Sequence, residues 1–278
     1  MSKKNKKFLS DLNLKLKYCF NKKSLAKNNI YLKKQIKHLK NTYLDSGKKY
    51  VILKNLSYEK DKIIKFSNLF GKTLAQDITG KKYLIVKPNL KKLKLKNRKK
   101  IRENLRYHQT NLGGSIHSDG PQLSVPPKYI IMGCLNQAEK GGSSIIVSMD
   151  KIYYFLKKKK PKVLKTLEKK FFFERRGFGK KIFSKPIFKK TNTKLTFRYL
   201  REYIEAGYQR KNKILEEKKI KALDMLDNLI QKKQFQHRYK MSKGDVIILN
   251  NNIMAHGRSG FSLGKSTKKR NLIRLWIR

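Results

Sequence analysis

A chain of 278 residues with 38% hydrophobic side chains is long enough to bury one substantial core, and a single main domain is expected. Its 71 Lys and Arg against 18 Asp and Glu give a formal net charge of +53, which ordinarily signals a nucleic-acid partner. Only 13 of those cations are arginine, the residue that forks bases and phosphates, so the 58 lysines read instead as compositional drift over tolerant surfaces and argue against specific recognition.

Taken in chain order, residues 1–46 form a basic segment with helical pieces around Leu25 to Leu44, expected to pack at the periphery of a core domain over 47–278. Strand signals follow at Tyr50 to Leu53 and Tyr83 to Val86, with a helix from Glu59 to Leu69 between them. Further strands are expected at Tyr129 to Leu135 and Ser144 to Val147. Helices are expected at Met149 to Leu156 and Pro161 to Lys169, where the proline suits a first helical turn. Short strands near Phe171 to Phe173 and Leu195 to Tyr199 precede a helix over about Ile214 to Ile230, in which Leu215, Ala222, Leu223, Leu226 and Leu229 recur at helical spacing. Gly244-Asp245 then turns into Val246 to Leu249, an apolar run of the kind that fills a buried strand. The pattern by itself says mixed α and β.

The two cysteines, Cys19 and Cys134, imply neither a disulfide framework nor a Cys-based metal site, so any metal must be held by nitrogen and oxygen. No apolar stretch approaches the length of a membrane span, and the lysine-bearing N-terminus lacks the apolar core of a signal peptide, so a cytoplasmic protein is expected. The dense runs Lys3 to Lys7, Lys33 to Lys40, Lys91 to Lys100 and Lys157 to Lys162 carry no zinc-finger, helix-turn-helix or RNA-binding signature.

Chemistry concentrates in two short stretches. Residues two apart in a strand face the same side, roughly 6.5 to 7 Å apart at their backbones, so His117 and Asp119 can grip one ion. A second histidine from a distant strand would complete two imidazoles and one carboxylate on one side of Fe(II), leaving the opposite positions open. His256, just beyond the apolar run, is the candidate. The competing reading makes His117 a loop histidine and Asp119 the head of an Asp-Gly-Pro turn with Gly120 and Pro121. His38, His108 and His237 have no carboxylate two residues away and are expected on the surface.

Beyond the three ligands, the run His117-Ser118-Asp119-Gly120-Pro121-Gln122, then Pro126-Pro127 and Gly141-Gly142-Ser143-Ser144, resembles the H-x-D, P-P and G-G-[DE]-[ST] blocks of the taurine dioxygenase-like Fe(II)/2-oxoglutarate oxygenases. Ser143 departs from the usual acidic residue. Gly244-Asp245 through Asn250-Asn251, His256-Gly257-Arg258, Phe261, Arg270, Arg274 and Trp276 resemble that family's ending, and Tyr50 to Lys54 with Phe70-Gly71 its opening, over residues 49–278 in all. The resemblance implies a double-stranded β-helix, or jelly-roll, with helical insertions and iron at its mouth. It implies Fe(II) on His117, Asp119 and His256, and 2-oxoglutarate as cosubstrate with its far carboxylate on Arg270 and Ser144. Arg274 is then a pocket residue for the cosubstrate or for the substrate's own acid. An arginine suits a carboxylate closed off from water because its planar fork stays charged. The implied activity is hydroxylation or desaturation of a small molecule with O₂, releasing succinate and CO₂. Neither a specific nucleic acid nor a membrane is implied as partner, and assembly into a homo-oligomer stays open. The alternative is a basic nucleic-acid-associated or binding protein on an oxygenase-like scaffold. Arg258, Asn250, Asn251 and Asn252 are expected to shape the turn before His256 or to orient the ligands, Gly141-Gly142 to present Ser144, and Trp276 to pack in the core.

Overall fold

The computed structural model describes residues 3–21, 30–89, 109–175, 182–263 and 270–278. The elements are α1 (Lys3–Asn21), α2 (Ile30–Leu39), β1 (Tyr50–Leu53), α3 (Lys60–Ser67), β2 (Tyr83–Val86), β3 (Gly114–His117), β4 (Tyr129–Asn136), β5 (Ser144–Ser148), α4 (Met149–Lys159) and α5 (Pro161–Leu167). They continue as β6 (Lys170–Phe173), β7 (Phe183–Pro186), β8 (Phe188–Lys190), β9 (Leu195–Phe197), α6 (Arg201–Arg210), α7 (Glu217–Gln231), β10 (Gln236–Tyr239), β11 (Val246–Asn250), β12 (Met254–Arg258) and β13 (Asn271–Ile277).

Two antiparallel sheets carry the molecule, one of five strands in the order β1-β11-β4-β13-β2 and one of four in the order β10-β5-β12-β3. Side-chain alternation along each strand explains how they stack. In β11, Val246 and Ile248 face a helical layer built from Leu12 and Leu16 of α1, Leu32, Ile36 and Leu39 of α2, and Ile63 and Phe66 of α3. Ile247 and Leu249 face the other way and share a cluster with Met132 and Cys134 of β4, Ile146 of β5 and Met254 of β12, so the two sheets meet there. A strand apolar on both faces needs a cover on each, which is why Val246 to Leu249 is continuous instead of alternating. The outer face of the four-stranded sheet, with Ile116, Ile145, Val147 and Ala255, is covered by Ile152 and Leu156 of α4, Leu164 of α5, Ile204 of α6 and Leu223 and Leu226 of α7. Each such side chain, taken fully out of water, contributes about 1.5–3 kcal/mol.

Several expectations shift in detail. The N-terminal helix α1 starts at Lys3, well before the helical pieces expected from Leu25; residues 22–29 lie outside the described ones, as do His108 and the run Lys91 to Lys100. Helix α7 begins at Glu217 because Asn212 takes a positive φ of 50° and breaks the run, leaving Ile214 92% exposed on the connection. His38 and His237 are exposed, as expected. Cys134 is buried, and burial pushes its thiol up to about 12, which leaves it an inert core residue. Among the described residues no helix is long and apolar enough to cross a membrane.

Candidate metal centre and its cavity

Strand pairing brings the sequence-distant histidines together: His256 of β12 lies directly across from His117 of β3. Their imidazole centroids are 4.8 Å apart at 45°. Strand β3 ends at His117, so Asp119 comes from the turn that follows, not from the strand as the i, i+2 argument expected. Gly120, with φ +63°, makes that turn, so the Asp-Gly-Pro turn and the ligand role are properties of one segment. His117 Nε2 lies 3.7 Å from Asp119 Oδ1 and His256 Nε2 lies 3.6 Å from Asp119 Oδ2. One donor atom from each of the three residues falls within 4.8 Å of the others, and all three side chains are buried.

Protonation states follow from the neighbours. His117 Nδ1 is 2.8 Å from the Ser115 carbonyl, which can only accept, so Nδ1 carries the proton and Nε2 turns a lone pair to the centre. Burial holds the His256 imidazole down at about 3, against the pull of Asp119, so it is neutral and able to ligate. Burial alone would raise the Asp119 carboxyl, but the Arg274 guanidinium and the two histidines outweigh it and keep the group ionised. Arg274 Nη1 donates to Asp119 Oδ1 at 2.6 Å, whereas Asp119 Oδ2 is buried and takes no hydrogen bond among the described residues. An acceptor left that way costs about 1–3 kcal/mol, and a cation at this point would offset it. Two neutral-capable imidazoles and one carboxylate oxygen form the donor set that suits Fe(II), so the residues fit such an ion.

A second set of contacts fixes these side chains. Asn251 grips the Asp119 backbone from both sides, accepting its N–H at 2.8 Å and donating to its carbonyl at 2.9 Å and to that of Pro127 at 3.0 Å. Its neighbours do other work: Asn250 donates to Leu44 O and Asp45 Oδ1, and accepts the N–H of Asn252. Ser118 is tied to Tyr199 by a bond in each direction, 2.9 and 3.0 Å, which docks the start of α6 beside the ligands. Gln76 and Arg274 hold each other, Arg274 Nε donating to Gln76 Oε1 at 3.0 Å and Gln76 Nε2 to the Arg274 carbonyl at 2.8 Å. Nothing near Gln76 in the sequence announces this role, since its partner is almost 200 residues away. Replacing Asn251 with alanine is expected to cost about 1–3 kcal/mol of stability by stranding three buried groups, and to weaken Fe(II) about 10–100-fold through a loosened Asp119. Urea unfolding together with Fe(II) titration checks both; normal affinity in a merely destabilised variant would make Asn251 structural only.

The centre opens into a cavity of about 520 Å³ between the sheets, lined among others by Ser144, Arg258, Arg270, Arg274 and Trp276. Alternation along β13 explains the roster: Leu272, Arg274 and Trp276 point inward, while Ile273, Leu275 and Ile277 join the helical layer. Arg270, only 4% exposed, precedes the strand in the same phase, so it is no solvated tail. The guanidinium lies over the Phe261 ring at 5.5 Å. At Gly142, with φ +76°, a Cβ would meet Arg270 Nε at 3.2 Å, so the Gly141-Gly142 turn lets Arg270 pass as well as presenting Ser144, which is 3% exposed on β5. Arg258 donates instead to the carbonyls of Leu112 and Thr110 and holds that segment of the wall. Trp276 is both core and wall.

Comparisons with known proteins agree with this architecture. The family model described as taurine catabolism dioxygenase TauD, TfdA family, matches residues 15–276. A curated relative, the taurine hydroxylase-like protein SAT17 of Stachybotrys chartarum (strain CBS 109288 / IBT 7711), is 28% identical over 151 residues, 52% of this chain. That stretch spans only 39% of the relative's length. Among solved structures, asparagine oxygenase in complex with Fe(II), 2S,3S-3-hydroxyasparagine and succinate superposes with a TM-score of 0.68 at 11% identity, covering all of this chain and 92% of that one. The non-heme iron oxygenase OrfP in complex with Fe and alpha-ketoglutaric acid gives 0.62 at 13% identity with the same coverage. At such identities these two likenesses speak for the fold.

Proposed function

The chain belongs to the TauD, TfdA family, and from that premise we propose that it is an Fe(II)- and 2-oxoglutarate-dependent dioxygenase that hydroxylates or desaturates a small-molecule substrate. The observation that carries the reading is the convergence of His117, Asp119 and His256, three buried donors from separate segments, at the mouth of one closed cavity. Residues 47–278 form the oxygenase domain in this reading, with the two stacked sheets as a double-stranded β-helix and residues 1–46 as a helical layer packed on it. The solved relatives hold iron with succinate or alpha-ketoglutaric acid, and the same pair of ligands is proposed here.

His117 Nε2, His256 and Asp119 Oδ2 would hold Fe(II), which supplies the redox chemistry that splits O₂ between succinate and the product. The residues of the chain do the rest. Arg270 and the Ser144 hydroxyl bind the far carboxylate of 2-oxoglutarate, a charge that the closed cavity would otherwise leave uncompensated. Arg274, held by Gln76, keeps Asp119 turned with one oxygen to the centre and presents its remaining N–H groups to an acidic group of the substrate. Leu272, Met132 and Trp276 exclude water and shape the space around the carbon to be oxidised. The mass balance is substrate, O₂ and 2-oxoglutarate in, hydroxylated product, succinate and CO₂ out.

The test is direct: the purified protein should bind one Fe(II) and convert 2-oxoglutarate slowly to succinate even without substrate, followed by succinate assay under air and under nitrogen. Failure to bind Fe(II), or succinate formed equally without O₂, would end the proposal.

A further inference from the structure

Lysine accounts for 58 of 278 residues, yet among the described residues none lines the cavity, whose only cations are Arg258, Arg270 and Arg274. The drift toward lysine that covers the outer surface has been kept out of this one space. A lysine there would carry a mobile ammonium, and a carboxylate in the wall would capture it.

Three carboxylates line the cavity: Asp119, Asp77 and Glu202. Asp119 belongs to the ligand set. Asp77 Oδ1 is committed to its own turn, accepting the Thr79 hydroxyl at 2.6 Å and the amides of Thr79 and Lys81 at 3.0 and 3.4 Å. Glu202, in the first turn of α6, is exposed to the cavity; its Oε2 accepts the Ser115 hydroxyl at 3.2 Å, and among the described residues no lysine or arginine pairs with it. On the outer surface Glu59, Glu216 and Glu217 all find a lysine. In a chain with about four cations per anion, an acid in the cavity wall that lacks a cation is the exception.

Its position gives that acid a use. Ser115 faces the same side of β3 as His117, about 6.5 to 7 Å away along the strand. Arg274 sits on Asp119, beyond His117 in the opposite direction. An acid anchor and an anion therefore bracket the ligand set. The α-ammonium of an amino acid is one carbon from its carboxylate and cannot span that interval.

Resting on the oxygenase reading above, we infer that Glu202 is a specificity-determining residue that binds a cationic nitrogen of the substrate, and that the substrate is a small acid whose ammonium or guanidinium lies several bonds from its carboxylate. The carbon between the two charges is then the one held over the ligand set. The exclusion of lysine from the wall keeps Glu202 available to the incoming cation.

Isosteric pairs test this by calorimetry under nitrogen with Fe(II) and 2-oxoglutarate present. L-Arginine should bind at least about tenfold tighter than uncharged L-citrulline, and L-lysine tighter than L-norleucine by a similar factor, the least expected of a close charge pair in a closed site. Glu202→Gln keeps the size and the Ser115 bond and should bring the members of each pair together, whereas Glu202→Asp should keep part of the preference; thermal melting verifies that both fold. Equal binding of charged and uncharged partners by the wild type, no binding of either cation, or a Gln variant that still discriminates overturns the inference. Fe(II) and 2-oxoglutarate binding by the wild type without any amino acid is measured first: if it is present and discrimination is absent, only this inference fails, and if it is absent the oxygenase reading fails with it.

Discussion

Replacing His256 with alanine should abolish Fe(II) binding and, with it, all formation of succinate from 2-oxoglutarate; His117→Ala should do the same. Each change removes one of three donors whose atoms already lie within 4.8 Å of one another. The loss in metal affinity should therefore exceed the 10–100-fold that removal of a supporting residue costs. Equilibrium dialysis with Fe(II) under nitrogen measures the first effect and succinate assay the second. Either variant binding Fe(II) as the wild type does would remove that histidine from the centre, whatever its activity.

Arg270→Ala should weaken 2-oxoglutarate far more than Fe(II). The guanidinium is buried and faces the closed cavity, so a carboxylate placed there without it would lose its only fork, a penalty on the order of 2–5 kcal/mol. Arg270→Lys should recover part of this, because an ammonium restores charge but not the two parallel hydrogen bonds. The readout is the apparent affinity for 2-oxoglutarate beside the affinity for Fe(II) in the same preparations. A normal 2-oxoglutarate affinity in Arg270→Ala would assign the arginine to packing on Phe261 alone.

Much of the centre was legible in the sequence because its information is local. The spacing of His117 and Asp119, the apolar run before His256 and the four-residue interval from Arg270 to Arg274 each encode a side-chain direction, and all five residues do meet at one cavity. What the sequence hid is long-range or weakly patterned. Gln76, Asn251 and Glu202 act through partners about 198, 132 and 87 residues distant, which no local rule reaches. Helix α6 escaped because Arg201-Glu202-Tyr203-Ile204-Glu205-Ala206-Gly207 carries few apolar positions, yet Ile204 and Tyr208 bury fully enough to seat it. Strand β10 escaped for the same reason: Gln-His-Arg-Tyr is polar, and it exists because an edge of β5 is there to pair with. The N-terminal helix shows the opposite failing, since so many lysines blur the stripe that Leu12 and Leu16 nevertheless form. Asp119 was assigned the right direction on the wrong element, because a turn of positive φ delivers its side chain to the same point as a strand would.

The last strand also sets terms for anyone wishing to redirect this protein. Odd-numbered positions of β13 are wedged under the helices, whereas even-numbered ones look into the cavity, so the two roles sit on one seven-residue ribbon without sharing a side chain. Exchanges at Leu272 or Trp276 therefore edit the reaction chamber while leaving the helical roof untouched. A single inserted or deleted residue between Arg270 and Trp276 does the reverse, rotating both guanidinium groups into the greasy layer and isoleucines into the chamber. The segment is open to re-engineering letter by letter but closed to any change of frame.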